Sequence, residues 1–283
     1  MCQVLEVSEN GYYNWRNRGE SQRKWENKQL AERIEDAYHQ NRGQYGSRRI
    51  HAELKAQGIS CGRKRVARLM QEKQLSARRK KRKARTTNSN HRFPLAPNLL
   101  ERDFTADAPN EKWMADLTFI ETREGWLYLA GILDAYSRKI VGWSMSEHHD
   151  TELVKAALRM ALLQRRPGVG LIHHSDRGSE YASTSYQTLL HEKNIQVSMS
   201  RKGDCYDNAM IESFWRTLKE ECCGQTIFSS RNEAKLAIFE YIEVFYHRKR
   251  RHSSLEYLSP VDYEKQGEQK EVPSIKKIGD SML

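Results

Sequence analysis

The chain has 283 residues, enough for one large domain or for a small and a medium one, and 38% of them are hydrophobic, so a core can form. Its mean hydropathy of −0.85 is strongly polar, and no window approaches 18 consecutive apolar residues. The opening MCQVLEVSEN lacks the basic-then-apolar order of a secretion signal, so a cytoplasmic protein is predicted. The five cysteines form no C-x-x-C pair, which predicts reduced thiols and no zinc site.

The formal net charge of +11 is distributed unevenly along the chain. Residues 1–92 hold 23 Lys and Arg against 9 Asp and Glu, whereas the remainder holds 25 against 28. A first third this basic indicates a polyanion-binding domain, for which nucleic acid is the commoner partner, or else a surplus that serves solubility.

Three helices are predicted before residue 78, at about 21–40, 47–57 and 62–74. A short turn joins the last two, and the third helix carries four basic residues, Arg63, Lys64, Arg65 and Arg68. This pattern is typical of a helix-turn-helix whose second helix enters a major groove, although an ordinary helical hairpin with a solvated basic face also fits. Residues 1–77 are therefore predicted to form a helical, helix-turn-helix-like DNA-binding domain.

A run of basic residues follows this helical segment. It comprises Arg78, Arg79, Lys80, Lys81, Arg82 and Lys83. A polar stretch with two prolines comes next, so residues 78–110 are predicted to be a basic linker that stays extended until it meets DNA. Phosphate contacts from this linker would be independent of sequence and sensitive to salt.

From Glu111 the pattern changes to that of an α/β domain. Strands are predicted at 112–120, 126–135, 139–145, 168–174 and 196–200, and helices at 151–164, 183–193 and 207–221. Three strands followed by alternating helix and strand is the order of the ribonuclease-H-like fold, a mixed five-stranded sheet with helices. Residues 111–225 are assigned to this core, and residues 226–283 to a C-terminal helix and basic tail.

Three carboxylates lie where metal-assisted phosphoryl transfer would need them. Asp116 falls in the middle of an apolar strand, Asp176 directly follows a strand, and Glu212 lies one turn into a helix. Two Mg²⁺ ions held by carboxylates would neutralise charge on both sides of a phosphorus atom. Taken singly, each residue also fits an ordinary structural role, as a satisfied aspartate, a loop cap or an exposed helix glutamate.

The order and spacing of the three residues are more specific, because 35 residues separate Asp176 from Glu212. The surrounding phrases are Trp113-x-x-Asp116-Leu117-Thr118, His174-Ser175-Asp176-Arg177-Gly178-Ser179-Glu180-Tyr181, Asp207-Asn208-Ala209-x-x-Glu212-Ser213-Phe214-Trp215 and Tyr246-His247-Arg248-Lys249-Arg250-Arg251-His252-Ser253-Ser254-Leu255. They resemble the DDE transposase and retroviral-integrase superfamily, and most closely the larger reading frame of insertion-sequence transposases of the IS-three family. The resemblance extends from about Gly11 to Tyr263.

The resemblance implies an integrase catalytic core that performs metal-dependent DNA cleavage and strand transfer by a DNA 3′-hydroxyl during transposition of an insertion sequence. It implies that Asp116, Asp176 and Glu212 are catalytic and bind two Mg²⁺ ions, or Mn²⁺. It also implies that Lys219, seven positions after Glu212, contacts DNA. Further DNA contacts are predicted for Arg216 and for the basic run Arg248, Lys249, Arg250 and Arg251.

The resemblance also implies partners. They are the terminal repeats of the element, the target DNA, other copies of the chain on DNA, and an upstream-frame helix-turn-helix protein as partner or fusion. The chain is expected to be the larger-frame product, acting in the bacterial cytoplasm at the nucleoid, with no membrane partner.

Several assignments stay open at the level of sequence. His174 fits either a residue that supports the acidic site or a strand end, Asn208 is favoured as a helix cap over a residue that steers the metal site, and Trp215 fits a place near DNA. A non-catalytic DNA-binding regulator derived from a transposase is the alternative function, and a nuclease that cuts without joining is a third. The intact acidic trio disfavours the regulator, since a pure binder has no reason to bury Asp116.

Overall fold

The computed structural model describes residue 2 and residues 4–77, 94–201, 205–224 and 227–279, with the backbone alone described at 205–206 and 270–279. The chain divides into two compact units, Met1–Arg78 and Arg79–Leu283. The basic run 78–83, predicted to contact DNA, lies outside the described residues. Among the helices that are described, none combines the length and apolar character needed to cross a bilayer.

The first unit is helical. It contains α1 (Glu9–Asn17), α2 (Gln22–Gln40), α3 (Ser47–Ala56) and α4 (Arg63–Glu72). The last three confirm the predicted helices to within one or two residues. Ser21 begins α2, because its side chain accepts a hydrogen bond from the Lys24 amide and so satisfies one free helix N–H. The helix α1 was not predicted, and it buries none of its residues.

The core of this unit explains why the two short helices pair. Ile50 and Leu54 of α3 are fully buried against Val66 of α4 and Ile34 of α2. The turn between α3 and α4 passes through Gly58, whose φ of +78° suits glycine. Packing on one side of α4 leaves Arg63, Lys64 and Arg68 exposed on its other sides.

The second unit is built on a five-stranded mixed sheet. Its strands are β1 (Lys112–Thr122), β2 (Gly125–Asp134), β3 (Ile140–Ser146), β4 (Ile172–Ser175) and β5 (Gln196–Met199). They lie in the order β3-β2-β1-β4-β5, with β1, β2 and β3 antiparallel and β4 and β5 parallel to β1. This arrangement confirms the predicted meander and the ribonuclease-H-like α/β fold.

Helices cover both faces of this sheet. The helices are α5 (Thr151–Arg165), α6 (Ser179–Ala182), α7 (Thr184–Glu192), α8 (Ala209–Glu221), α9 (Arg231–Phe239) and α10 (Pro260–Gly279). Trp113 and Ala115 of β1 face the core formed with α5 and α7, whereas Met114 faces the core formed with α8 and α9. Because side chains alternate along a strand, Asp116 points to the α8 face together with Met114.

The predicted tail helix is interrupted. It runs as α9 to Phe239 and continues as a π-helical segment, Glu240–Tyr246, which buries Tyr241, Ile242 and Phe245 in the sheet core. A 3₁₀ turn, Ser253–Leu255, then precedes α10. The α9 helix and this π-helical segment are therefore part of the second unit's core.

Residues 94–110, the second part of the predicted linker, lie against the α/β unit. Leu100 is only 2% exposed and belongs to the core on the α8 face. Asn98 donates a hydrogen bond from Nδ2 to Asp207 Oδ2 at 2.9 Å, and Leu99 N donates to Ser198 Oγ at 2.9 Å. These bonds hold the segment across β5 and the start of α8. The prediction that the linker stays extended until it meets DNA is therefore wrong for residues 94–110.

Replacing Gly142 with alanine tests how closely α5 packs on the sheet. A Cβ at Gly142 would collide with the backbone oxygen of Ala157 and would lie 2.7 Å from Ala161 Cβ. Because the backbone of α5 must move to relieve this contact, we expect the free energy of unfolding to fall by about 1–3 kcal/mol. Urea denaturation measures the change. The control is Gly168→Ala, where no atom lies within 4 Å of the added Cβ, and equal stability of the two variants would refute the packing argument.

Candidate active site

Two of the predicted carboxylates lie side by side where the pairing of β1 with β4 ends, Asp116 in the middle of β1 and Asp176 directly after β4. The pairing of β1 with β4 ends at Ala115 and Ser175. Asp116 and Asp176 are therefore the next residues in register on the two neighbouring segments. Neighbouring strands are about 4.8 Å apart. Asp176 also accepts a hydrogen bond on Oδ1 from the Gly178 amide at 2.9 Å, so its loop-capping role and its place beside Asp116 coexist.

The helix α8 brings the third carboxylate toward this part of β1. Its Trp215 donates a hydrogen bond from the indole Nε1 to Asp116 Oδ2 at 3.0 Å. The indole covers Gly131, the β2 residue that pairs with Asp116. Glu212 lies one helical turn before Trp215 on the same side of α8, and its side chain is exposed.

The three carboxylates influence one another electrostatically. Burial raises the pKa of Asp116 well above its usual range, and the negative charges of Asp176 and Glu212 raise it further. The hydrogen bonds from the Leu117 amide and from Trp215 act in the opposite direction but do not reverse the shift. A carboxylate in such surroundings is costly to ionise unless a cation is near.

The donor set consists of oxygen atoms only, which is the chemistry that Mg²⁺ selects. Among the described residues, no three Asp, Glu, His or Cys side chains are grouped closely enough to hold an ion as they stand. The carboxylates influence the pKa of Asp116 and yet do not form a ready-made ion site, because these two effects depend on different distances. Charges act on one another over several ångströms, whereas Mg²⁺–oxygen bonds measure about 2.0–2.1 Å, so the rotamers would have to converge on an ion.

The start of α8 is fixed to the sheet by residues preceding Glu212. Asn208 occupies the N-cap position, but its φ of −120° and ψ of 20° are not those of a usual cap and its side chain makes no capping bond. Instead it donates from Nδ2 to the Ala115 carbonyl at 3.2 Å. The prediction of Asn208 as a side-chain cap is therefore wrong. The neighbouring Asp207 is buried and accepts from the Arg201 amide at 2.9 Å.

His174 belongs to the interior of the sheet. Its Nδ1 lies 2.8 Å from Ser198 Oγ and its Nε2 lies 3.1 Å from Ser200 Oγ. Burial lowers the pKa of His174 to about 4, so the imidazole is neutral near pH 7. These contacts fit the strand-end interpretation rather than a residue that supports the acidic site.

The structure also places the predicted DNA contacts on α8. Lys219 lies two turns after Glu212, with Nζ 4.8 Å from the centroid of the Phe119 ring. Arg216 is exposed and donates from Nη2 to Ser213 Oγ at 3.3 Å. Trp215 is only 5% exposed, so it is not a platform on which a base could stack.

The basic residues of α4 differ in their surroundings. Arg63, Lys64 and Arg68 are exposed, and Arg68 pairs with Glu72 at 2.7 Å. Arg65 is half-buried and donates from Nε to Asn27 Oδ1 of α2 at 2.7 Å, so it ties α4 to α2. The exposed residues remain available for phosphate contact.

The basic run 248–251 does not form one surface. Arg248 and Lys249 are exposed, whereas Arg250 is 5% exposed. Arg250 donates from Nε and Nη2 to the two carboxylate oxygens of Glu221, each at 2.7 Å, and Arg251 donates from Nη1 to the Tyr257 carbonyl at 3.0 Å. Arg250 is therefore wrong as a predicted DNA contact, because the segment after the π-helix turns it inward against the end of α8.

Sequence reasoning missed Gly131 as a residue of this site. A Cβ there would lie 2.6 Å from Trp215 Cη2, so glycine is needed where the indole covers β2. A lone glycine inside a predicted strand is the available signal, since it often marks a close approach of another group. That signal does not identify which group approaches.

Comparisons with protein families agree with the two units. Residues 106–205 and 193–260 match family models described as an integrase core domain, and residues 24–83 match a family model described as an HTH-like domain. The match of residues 24–83 to the HTH-like domain favours the helix-turn-helix interpretation of α3 and α4 over an ordinary helical hairpin.

Curated relatives match along nearly their whole length. An uncharacterized 31 kDa protein of insertion element IS600 from Shigella sonnei is 50% identical over 93% of this chain and 97% of its own. The transposase for insertion sequence element IS904 from Lactococcus lactis is 45% identical over 83% of this chain and 93% of its own. Transposase InsF for insertion sequence IS3A from Escherichia coli is 41% identical over 93% of this chain and 92% of its own.

Solved structures give more distant matches. A simian T-cell lymphotropic virus intasome in complex with the PP2A regulatory subunit B56 gamma is 13% identical, with a TM-score of 0.46 over 75% of this chain and 69% of that one. The HTLV-2 integrase catalytic core domain in complex with magnesium is also 13% identical, with a TM-score of 0.41 over 56% of this chain and 97% of that one.

Proposed function

The chain belongs to the IS3 family of insertion-sequence transposases, and from that premise we propose that Asp116, Asp176 and Glu212 are its catalytic residues. It is a DNA transposase, a polynucleotidyl transferase of the DDE type. The observation that supports the residue assignment is the surroundings of Asp116. This carboxylate is half-buried on β1, and the negative charges of Asp176 and Glu212 add to the effect of burial in raising its pKa.

The proposed trio would hold two Mg²⁺ ions, or Mn²⁺. Ions held there would neutralise charge around the scissile phosphate and favour deprotonation of the attacking oxygen. Asp116 is held in place through Oδ2 by Trp215, and Asp176 through Oδ1 by the Gly178 amide. Glu212, exposed in the first turn of α8, has a side chain long enough to turn toward them.

The chemistry is an in-line displacement at phosphorus. In cleavage, a water oxygen bonds to phosphorus while the bond to a DNA 3′-oxygen breaks, which leaves a 3′-hydroxyl at the end of the element. In strand transfer, that 3′-hydroxyl bonds to phosphorus of the target and the target's own 3′-oxygen leaves. The chain's residues act by holding the reacting groups in line, which lowers the entropic part of the barrier.

The remaining assignments follow from the same proposal. Residues 1–77 would bind DNA as a helix-turn-helix-like domain, and 78–110 would connect it to the catalytic core at 111–225, with 94–110 packed against that core. Residues 226–283 would supply the C-terminal helix and basic tail. The chain would act on terminal repeats and target DNA as a homo-oligomer, with an upstream-frame helix-turn-helix protein as partner or fusion. Its place would be the cytoplasm, at the nucleoid.

Strand-transfer assays test the proposal directly. Labelled terminal-repeat DNA and a target plasmid are incubated with the full chain and Mg²⁺, and joined product is expected. Glu212→Gln should abolish it, whereas Glu220→Gln on the same helix should not. Cleavage without joining would support the nuclease alternative, and joining that survives Glu212→Gln would exclude Glu212 from the site. No reaction together with specific DNA binding would favour the regulator.

Replacing Lys64 with alanine tests the helix-turn-helix surface. Because Lys64 is exposed on α4, we expect weaker binding to all DNA sequences and a dependence of log K on log salt that is shallower by about 1. Fluorescence anisotropy across a salt series measures both. Lys235→Ala, at an exposed lysine of α9, is the control. An unchanged salt slope for Lys64→Ala would remove this lysine from the proposed DNA surface.

A further inference from the structure

Two hydrogen bonds attach α8 to β1 on either side of Glu212. Asn208 donates to the Ala115 carbonyl at 3.2 Å, and Trp215 donates to Asp116 Oδ2 at 3.0 Å. Glu212 lies four residues after Asn208 and three before Trp215, about one helical turn from each. The two bonds therefore set the position of the Glu212 backbone relative to Asp116.

We propose that Trp215 is a positioning residue for the metal site: its indole N–H holds one oxygen of Asp116 and thereby directs the other oxygen toward the ion. This inference rests on the proposed function of the acidic trio. The indole suits this task because it is a donor only and is neutral. It can orient the carboxylate without competing for the metal and without cancelling the negative charge that attracts the metal.

The indole is itself held rigidly. Trp215 is 5% exposed, and the Phe214 ring packs beside it with centroids 4.9 Å apart. On its other side lies Gly131, where a Cβ would be 2.6 Å from Cη2 and 3.0 Å from Cζ2 of the indole. A donor fixed in this way orients Asp116 at no further entropic cost when an ion binds.

Replacing Trp215 with phenylalanine removes the N–H and keeps an aromatic ring. We expect the dissociation constant for Mn²⁺, measured by electron paramagnetic resonance on the full chain without DNA, to rise about tenfold, as is typical when a group that orients a metal ligand is lost. The matched control is Trp143→Phe. That change removes an indole bond to a different carboxylate, Glu243 Oε1 at 2.9 Å, and should leave Mn²⁺ binding unchanged.

Gly131→Ala supplies a second, independent variant. It keeps the indole N–H but pushes the ring away from β2, so it should also weaken Mn²⁺ binding. Combined with Trp215→Phe, its effect on binding should be less than additive, because both changes act through one contact. Circular dichroism identifies the variants that fold. Wild-type Mn²⁺ affinity in either folded single variant would overturn the proposal.

Glu212→Gln in the same titration separates this inference from the proposed function. If Glu212→Gln weakens Mn²⁺ binding but Trp215→Phe does not, the trio binds metal and only the role of Trp215 fails. If Glu212→Gln binds Mn²⁺ as the wild type does, or the wild type binds none, the proposed metal site fails and the role of Trp215 with it.

Discussion

Replacing Asp116 with asparagine is expected to slow strand transfer about a thousandfold or more while raising the stability of the metal-free protein. A metal ligand contributes several kcal/mol of transition-state stabilisation, and each 1.36 kcal/mol corresponds to about a factor of ten in rate. Asparagine has nearly the same shape, and its Oδ1 can still accept the bond from Trp215.

The gain in stability has an electrostatic cause. Burial and the charges of Asp176 and Glu212 disfavour the ionised form of Asp116, as the raised pKa shows. A neutral side chain removes this penalty, so the thermal midpoint in the presence of a chelator should rise. Opposite changes in activity and stability at one residue are typical of a catalytic site.

The two effects of Asp116→Asn are measured separately. A strand-transfer time course with Mg²⁺ gives the rate, and thermal denaturation with a chelator gives the stability. The control is Asp107→Asn, at an exposed aspartate of the 94–110 segment, which should change neither. Wild-type strand transfer in Asp116→Asn would exclude Asp116 from catalysis.

Replacing Arg250 with methionine is expected to lower the free energy of unfolding by about 3–5 kcal/mol. The side chains of Arg250 and Glu221 are only 6% and 7% exposed, and Tyr241 Oη also donates to Glu221 at 2.8 Å. Burial acts to lower the pKa of Arg250, but its bonds with Glu221 outweigh this effect and raise it, so the guanidinium stays charged. Removing the arginine leaves a buried carboxylate without its cation.

A double variant distinguishes the ion pair from simple packing. Arg250→Met with Glu221→Met removes both charges, and we expect it to recover most of the lost stability. Arg248→Met, at the exposed residue two positions earlier, should change stability by no more than about 0.5 kcal/mol. Urea denaturation measures all three. A loss below about 1 kcal/mol in Arg250→Met would contradict a buried ion pair.

This ion pair also bears on catalysis, because Glu221 ends the helix that carries Glu212. The helix α8 is attached at its start through Asn208, in its middle through Trp215 and at its end through Glu221. Loss of Arg250 should therefore reduce strand transfer even under conditions in which the variant is still folded.

The sequence by itself predicted most of the helices and strands of both units and led to the proposal of the acidic trio. Strand and helix periodicity is local, so β1, β2 and α8 could be predicted from their apolar residues. The trio was proposed because Asp116 interrupts an apolar strand, 35 residues separate Asp176 from Glu212, and the surrounding motifs resemble those of the DDE transposase superfamily. The helix α1 escaped prediction because it buries no residue and so carries no apolar stripe.

Only the tertiary structure decided what surrounds those residues. Four adjacent basic residues look alike in sequence, yet Arg250 alone meets Glu221, 29 residues away along the chain. Trp215 meets Asp116 across 99 residues, and Gly131 makes room for it. Neither contact has a local signature, because the burial of a polar side chain depends on which distant partner the fold places beside it.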